Sequence, residues 1–246
     1  MRVVLLGSTG VVGDAILREA LADDRITSVF AVARRPLTHT HRKLTVVLHD
    51  NFNDFSSLGP ALADTAVVLC ALGISWYQVK VNERQRVNHA GGGATREARY
   101  RQITHDYVLA CARVAAIANP SIRFCFVSGH GASATSAQAW ARVKAETEHD
   151  LDAMFGSRLT IFRPGYVYPS DGRATPYWGD ALMRPFMSFR SAMSRWITDS
   201  REVARAVLHC ATGGTVPSPA DNRAIIDAAA AYGRGVRGAR GAPPSP

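Results

Sequence analysis

Apolar residues along this chain fall into short unbroken runs that alternate with stretches of helical spacing. The first run, Val3-Val4-Leu5-Leu6, stops at Gly7. From Val11 to Ala22 the period changes, and Val12, Ile16 and Ala20 share one helix face. Ser28 to Ala33 and Leu44 to Leu48 read as the second and third strands, and Asp54 to Ala63 as a short helix. Ala66 to Leu72 is a fourth, fully apolar strand. A long amphipathic helix over Ile103 to Ala118 closes at Asn119-Pro120. Arg123 to Ser128 is the fifth strand, Ala137 to Phe155 a helix, and Leu159 to Phe162 the sixth strand, ending at Arg163-Pro164-Gly165.

Strands that alternate with helices need right-handed crossovers, which gives a parallel sheet covered on both faces. Strands buried on both sides read as continuous apolar runs, as these do. The expected fold is therefore α/β, a doubly wound parallel sheet of the Rossmann kind, over residues 1–165. Residues 166–232 are expected to form a small, mostly helical C-terminal substrate cap that completes the same domain. Within it Ser200 to Ala211 reads as a helix with Ser200 as N-cap, and Arg223 to Asp227 as a seventh strand. The Gly-, Arg- and Pro-rich end, residues 233–246, has little to bury and reads as disordered.

The first strand runs into Gly7-Ser8-Thr9-Gly10-Val11-Val12-Gly13 and then a helix. In that context glycines at this spacing form a phosphate-binding turn. Gly7 permits the tight turn, Gly10 lets backbone approach a pyrophosphate, and Gly13 lets helix and strand pack closely. The second strand ends on Ala33-Arg34-Arg35 where an acidic residue would accept from ribose hydroxyls. Two guanidinium groups suit a 2′-phosphate, so the expected cofactor is NADP(H), with NAD(H) as the alternative. Asp50, after the third strand, accepts from an adenine amino group or caps the next helix. Ala71-Leu72-Gly73 ends the fourth strand with small residues where backbone must pass close to the cofactor.

Composition narrows the setting. The 246 residues are 47% hydrophobic, enough for a sizeable core, and the apolar runs are far shorter than the roughly 20 residues of a membrane helix. No signal peptide is read at the N-terminus, so a soluble, cytoplasmic protein is expected, without a membrane partner. Cys70, Cys111, Cys125 and Cys210 form no C-x-x-C pair and read as buried free thiols, and no metal site is expected. The net charge of +9 comes from scattered arginines rather than one basic helix. It is read as attraction for a phosphorylated small molecule, not for nucleic acid.

With Asp106-Tyr107, Ser128, Lys144 and Arg163-Pro164-Gly165 in order behind the glycine turn, the chain resembles the atypical branch of the short-chain dehydrogenase/reductase superfamily. Within it the resemblance is to Tat-interacting-protein-like oxidoreductases and nucleoside-diphosphate-sugar-epimerase-like proteins. The resemblance implies a Tyr-x-x-x-Lys pair and a serine as the chemical machinery. Lys144 and Ser128 match, and Lys144 also implies a hold on the nicotinamide ribose. The tyrosine position is Trp140, whose indole is neither acid nor base near neutral pH. His130 is then the candidate proton donor. Pro164 is expected at the cofactor, with Trp140 and Tyr166 on the substrate side and Tyr107 as packing. The segment from Tyr77 to Tyr100 reads as a lid or substrate wall, faced by aromatic residues from Tyr166 to Phe189. The expected activity is reduction or oxidation of a small carbonyl or alcohol by a monomer or homodimer. The alternative is a dinucleotide-binding sensor with little turnover.

Overall fold

The computed structural model describes residues 1–76, 78–79, 96–172 and 195–241, with side chains described through 236. Six strands form one parallel sheet: β1 (Arg2–Leu6), β2 (Ser28–Ala33), β3 (Leu44–Leu48), β4 (Val67–Cys70), β5 (Arg123–Val127) and β6 (Leu159–Phe162). Their spatial order is β3-β2-β1-β4-β5-β6, the doubly wound order with its switch point between β1 and β4. Alternate residues of each strand feed two separate cores. Val3, Leu5, Val67 and Leu69 pack under α1 (Val11–Ala22) and the C-terminal helices, together with Cys125. Val4, Leu6, Val68, Cys70, Phe124 and Phe126 pack on the other face. There they meet α2 (Gly59–Ala63), α4 (Tyr107–Ala118) and α5 (Ala139–Phe155).

The helix expected from Ile103 begins earlier. α3 (Arg96–Arg101) leads through a π-helical turn at Gln102–Asp106 into α4. Of the helix expected over Asp54 to Ala63, a single 3-10 turn at Ser56–Leu58 precedes α2. Beyond β6 a two-stranded parallel ribbon pairs β7 (Tyr166–Tyr168) with β8 (Ile197–Asp199).

α6 (Ser200–Ala211) follows, and its N-cap is Asp199 rather than Ser200. The Asp199 carboxylate accepts from Glu202 N at 2.7 Å, and the Glu202 carboxylate accepts from Asp199 N at 3.0 Å, a reciprocal capping box. Residues 223–227 are not a strand. The edge beside β6 is met earlier, where Ala220 N donates to Ile161 O at 2.7 Å and Ala220 O accepts from Arg163 N at 2.8 Å. α7 (Asn222–Gly241) then starts, burying Asn222, Ile225, Ala229 and Tyr232 at helical spacing. It continues to Gly241, into the stretch read from composition as disordered. Tyr232 anchors it, its hydroxyl donating to Asp23 Oδ2 at 2.6 Å. α6 and α7 thus cover the sheet beside α1. Of the segment expected as a lid or substrate wall, Tyr77 and residues 80–95 lie outside the described residues, as do the aromatic residues Tyr177, Trp178, Phe186 and Phe189.

Candidate dinucleotide and nicotinamide site

β1 delivers the glycine turn to the switch point, against the end of β4. Gly7 has φ +83°, and a Cβ there would meet Ala71 O at 2.5 Å, so both conformation and space require glycine. A Cβ on Gly13 would lie 2.0 Å from Gly7 O, which lets α1 start directly over the turn. Gly10 differs: a Cβ there would find only Gly7 O, at 3.4 Å, so its outer side is open. Gly10 is also the N-cap of α1 and brings no side chain to the helix amides. Thr9 and Gly10 are exposed, whereas Ser8 is 2% exposed. Its Oγ has no hydrogen-bond partner among the described residues. Uncapped amides at a helix N-terminus, an open glycine face and an orphaned buried hydroxyl fit a dinucleotide pyrophosphate. In the first turn Asp14 is held by Arg18 at 2.7 Å and lies 2.7 Å from His39 Nε2.

At the end of β2, Arg34 and Arg35 are exposed and have no hydrogen bond or ion pair among the described residues. The Arg34 guanidinium stands 6.0 Å over the Phe52 ring. Asp50 is exposed and caps nothing. The carboxylate that meets the start of the next helical turn is that of Asp54, whose Oδ1 accepts from Ser56 N at 2.8 Å. His49 joins this end of the site, a residue that neither the glycine spacing nor the arginine pair points to. Its Nε2 is buried without a partner among the described residues, and its ring lies 4.7 Å from Phe55 and 5.6 Å from Phe52. The available signal was a histidine closing an apolar strand just before two phenylalanines.

β5 delivers the reactive end. Ser128 N donates to Phe162 O at 2.8 Å, while its buried Oγ has no partner among the described residues. Gly129 lies beneath Lys144: a Cβ on it would stand 3.3 Å from Lys144 Cε and 3.7 Å from Nζ. The fold thus sets the Lys144 side chain against Gly129, the residue that follows Ser128. Burial pushes the Lys144 ammonium down to about 8, partly offset by the Glu148 carboxylate one turn on. Glu148 is itself held by Arg163, whose Nε donates to both carboxylate oxygens at 3.0 and 3.1 Å. This pair clips α5 to the end of β6, and Pro164 O accepts from His130 N at 2.8 Å.

Trp140, in the first turn of α5, lays its ring against the loop that follows β5. A Cβ on Gly131 would stand 3.3 Å from its Cη2, and its Nε1 donates to Gln138 Oε1. It packs with Trp76, Ile74, Val79, Tyr100 and Val143 in a small apolar cluster, and Arg96 stacks 4.1 Å over Trp76. The His130 ring meets Trp196 edge-on at 4.9 Å. Tyr166 sits on the ribbon, its N donating to Trp196 O at 2.8 Å. Tyr107 packs against Phe52 at 5.7 Å.

The histidines gave no sign of a metal cluster in the sequence, yet the fold gathers His105, Glu146 and Asp150, with ligand atoms within 4.8 Å. Their partners argue for an ion-pair network instead. Arg101 grips both oxygens of Glu146, and the two His105 nitrogens lie 2.7 Å from Asp106 Oδ1 and 2.9 Å from Asp150 Oδ2. The network pins the π-helical turn to α5.

Residues 7–212 match the family model described as NAD(P)H-binding. The chain belongs to this family. It is an atypical short-chain dehydrogenase/reductase with a Rossmann fold. Among curated relatives, protein fmp52, mitochondrial, from Aspergillus clavatus is 27% identical over 229 residues, 88% of this chain and 90% of the relative. Protein HTATIP2 from Rattus norvegicus is 27% identical over 196 residues, 79% of this chain and 72% of the relative. A short chain dehydrogenase from Burkholderia cenocepacia in complex with NADP shares the fold, with TM-score 0.62 and 16% identity, over 98% of each chain. A short-chain dehydrogenase/reductase superfamily protein from Agrobacterium tumefaciens with bound NAD has TM-score 0.60 and 16% identity, covering 92% of this chain and 81% of the other.

Proposed function

We propose that this protein is an NADP(H)-dependent oxidoreductase acting on a small organic carbonyl or alcohol. The observation that carries the reading is Lys144 packed against Gly129, next to Ser128, whose buried hydroxyl has no partner among the described residues. When bound, the dinucleotide supplies or accepts the hydride. The glycine turn from Gly7 to Gly13 binds its pyrophosphate, and Ser8 donates to a phosphate oxygen. Arg34 and Arg35 take the 2′-phosphate, and Asp50 lies by the adenine. Ala71, Leu72, Gly73 and Pro164 give close backbone around the ribose and nicotinamide.

Lys144 donates to the ribose hydroxyls, and Ser128 donates to the substrate oxygen. The Trp140 indole stands where a phenol would deliver a proton, and its N–H is already committed to Gln138. Proton delivery therefore falls to His130 or to water, with Trp140 and Tyr166 serving as walls for the substrate. Trp140 is also the observation that favours the second reading, a dinucleotide-binding sensor that turns over little.

The partner in the leading reading is a small molecule, with the chain working as a monomer or homodimer. No described helix is long and apolar enough to cross a membrane. We assign the protein to the cytoplasm; the fungal relatives' names say mitochondrial, and cell fractionation separates the two. The functional test is a carbonyl panel with NADPH and with NADH, followed by absorbance. Steady consumption of NADPH with one class of carbonyl supports the oxidoreductase. Tight NADPH binding with no turnover across the panel supports the sensor.

A further inference from the structure

Two of the four cysteines face each other in the core between the sheet and the C-terminal helices. Cys125 on β5 and Thr160 on β6 are register partners, so their side chains stand on one face of the sheet. α6 lays Cys210 over both. Its Sγ lies 3.9 Å from Cys125 Sγ and 3.2 Å from Thr160 Oγ1. The remaining pair, Cys70 and Cys111, is buried in the opposite core. Cys210, 9% exposed, is nearer solvent than Cys125 at 1%. Arg123 donates to the carbonyls of Cys210 and Ala211 at 3.0 and 2.6 Å, which keeps a positive charge beside the pair.

We propose that Cys125 and Cys210 are an oxidation site for a peroxide-class oxidant, with Cys210 reacting first and Cys125 closing a reversible disulfide between β5 and α6. The contact itself favours this order. A hydrogen bond from the Cys125 thiol lowers the Cys210 thiol, helped by Thr160 and Arg123, and the same contact raises Cys125. The Cys210 thiolate attacks one oxygen of hydrogen peroxide. An S–O bond forms, the O–O bond breaks, and the departing hydroxide takes up the proton lost by the thiol. Cys125 sulfur then attacks the sulfenic sulfur of Cys210. The S–S bond forms, the S–O bond breaks, and the hydroxyl leaves as water with the Cys125 proton. Two thiols are oxidised, one peroxide is reduced and two waters are released. A dithiol reverses the link by exchange. Van der Waals contact between the sulfurs means that only side-chain rotation and a small approach of α6 are needed.

The test treats the full chain with hydrogen peroxide in slight excess, then denatures it, counts thiols and digests it without reduction. The count is expected to fall from four to two, with one peptide pair linked through Cys125 and Cys210. The melting temperature should rise by several degrees and return with dithiothreitol. In Cys125→Ala the reaction should stop at a sulfenic acid on Cys210, trapped by dimedone; in Cys210→Ala, Cys125 should stay reduced. Four intact thiols under conditions that oxidise glutathione would overturn the proposal. So would oxidation confined to Cys70 and Cys111, or linkage only between chains. The wild-type digest decides these outcomes even where a variant folds poorly.

Discussion

Gly10 and Gly13 sit three residues apart in one turn, yet a methyl group at each meets a different obstacle. At Gly13 it collides with the Gly7 carbonyl at 2.0 Å. Gly13→Ala is therefore expected to destabilise the apo protein by about 1–3 kcal/mol or more, the scale of overpacking against backbone, seen as a lower urea midpoint. At Gly10 the same group enters open space, so the cost should fall on the ligand instead. Lys144 carries a different conflict. Burial lowers its ammonium to about 8, so between that pH and the ordinary lysine value the unfolded chain holds more protons. This group's contribution therefore rises with pH across that interval. Allowing for its partial exposure, Lys144→Met should stabilise the apo protein by about 1–2 kcal/mol near neutral pH. The variant should also lose the extra stability that the wild type gains above pH 8, measured by unfolding at several pH values. If the same ammonium binds the ribose, wild-type cofactor affinity falls as pH passes about 8, and Lys144→Ala lowers turnover by about 10²-fold. Trp140→Phe, which keeps an aromatic wall and removes an N–H already bound to Gln138, should keep most activity. An equal loss in both variants would make the indole N–H a working part. The glycine spacing, Ser128 and Lys144 were legible because their pattern is local or fixed by element order. His49 was not legible, because its meaning depends on packing against Phe52 and Phe55.

Among the elements, the helix ends show where a one-dimensional reading stops. Ser200 and Asp199 are both good cap residues, and only the coordinates show that Glu202 closes a capping box on Asp199. Asp199→Ala is expected to cost about 1 kcal/mol by removing the cap, read as a lower melting temperature. The short apolar core of Arg223 to Asp227 reads equally well as strand or helix until the periodic burial of Ile225, Ala229 and Tyr232 is known. Likewise the contact that anchors α7, between Tyr232 and Asp23, joins residues 209 apart in sequence, which no local pattern reveals. The central strands β1 and β4 were legible because each is an apolar run buried on both faces, while the edge strand β3, half-exposed along its length, was legible from its β-branched residues and its position in the alternation. The β7–β8 ribbon is three residues a side and depends on a long-range pairing, which leaves little local pattern to read.

For the whole molecule, the order β3-β2-β1-β4-β5-β6 places the ends of β1 and β4 side by side. That adjacency turns two motifs 64 residues apart, at Gly7 and Ala71, into one backbone contact. It also sets the arginines after β2 on one side of the switch point and Ser128 with Lys144 on the other, a span suited to a dinucleotide laid across the strand ends. The central claim is that this edge binds NADPH through the glycine turn, and calorimetric titration of wild type and Gly10→Val tests it most directly. The account predicts saturable NADPH binding by wild type, tighter than NADH, and no measurable binding by a Gly10→Val protein whose unfolding transition is intact. Undiminished NADPH affinity in that folded variant would contradict it.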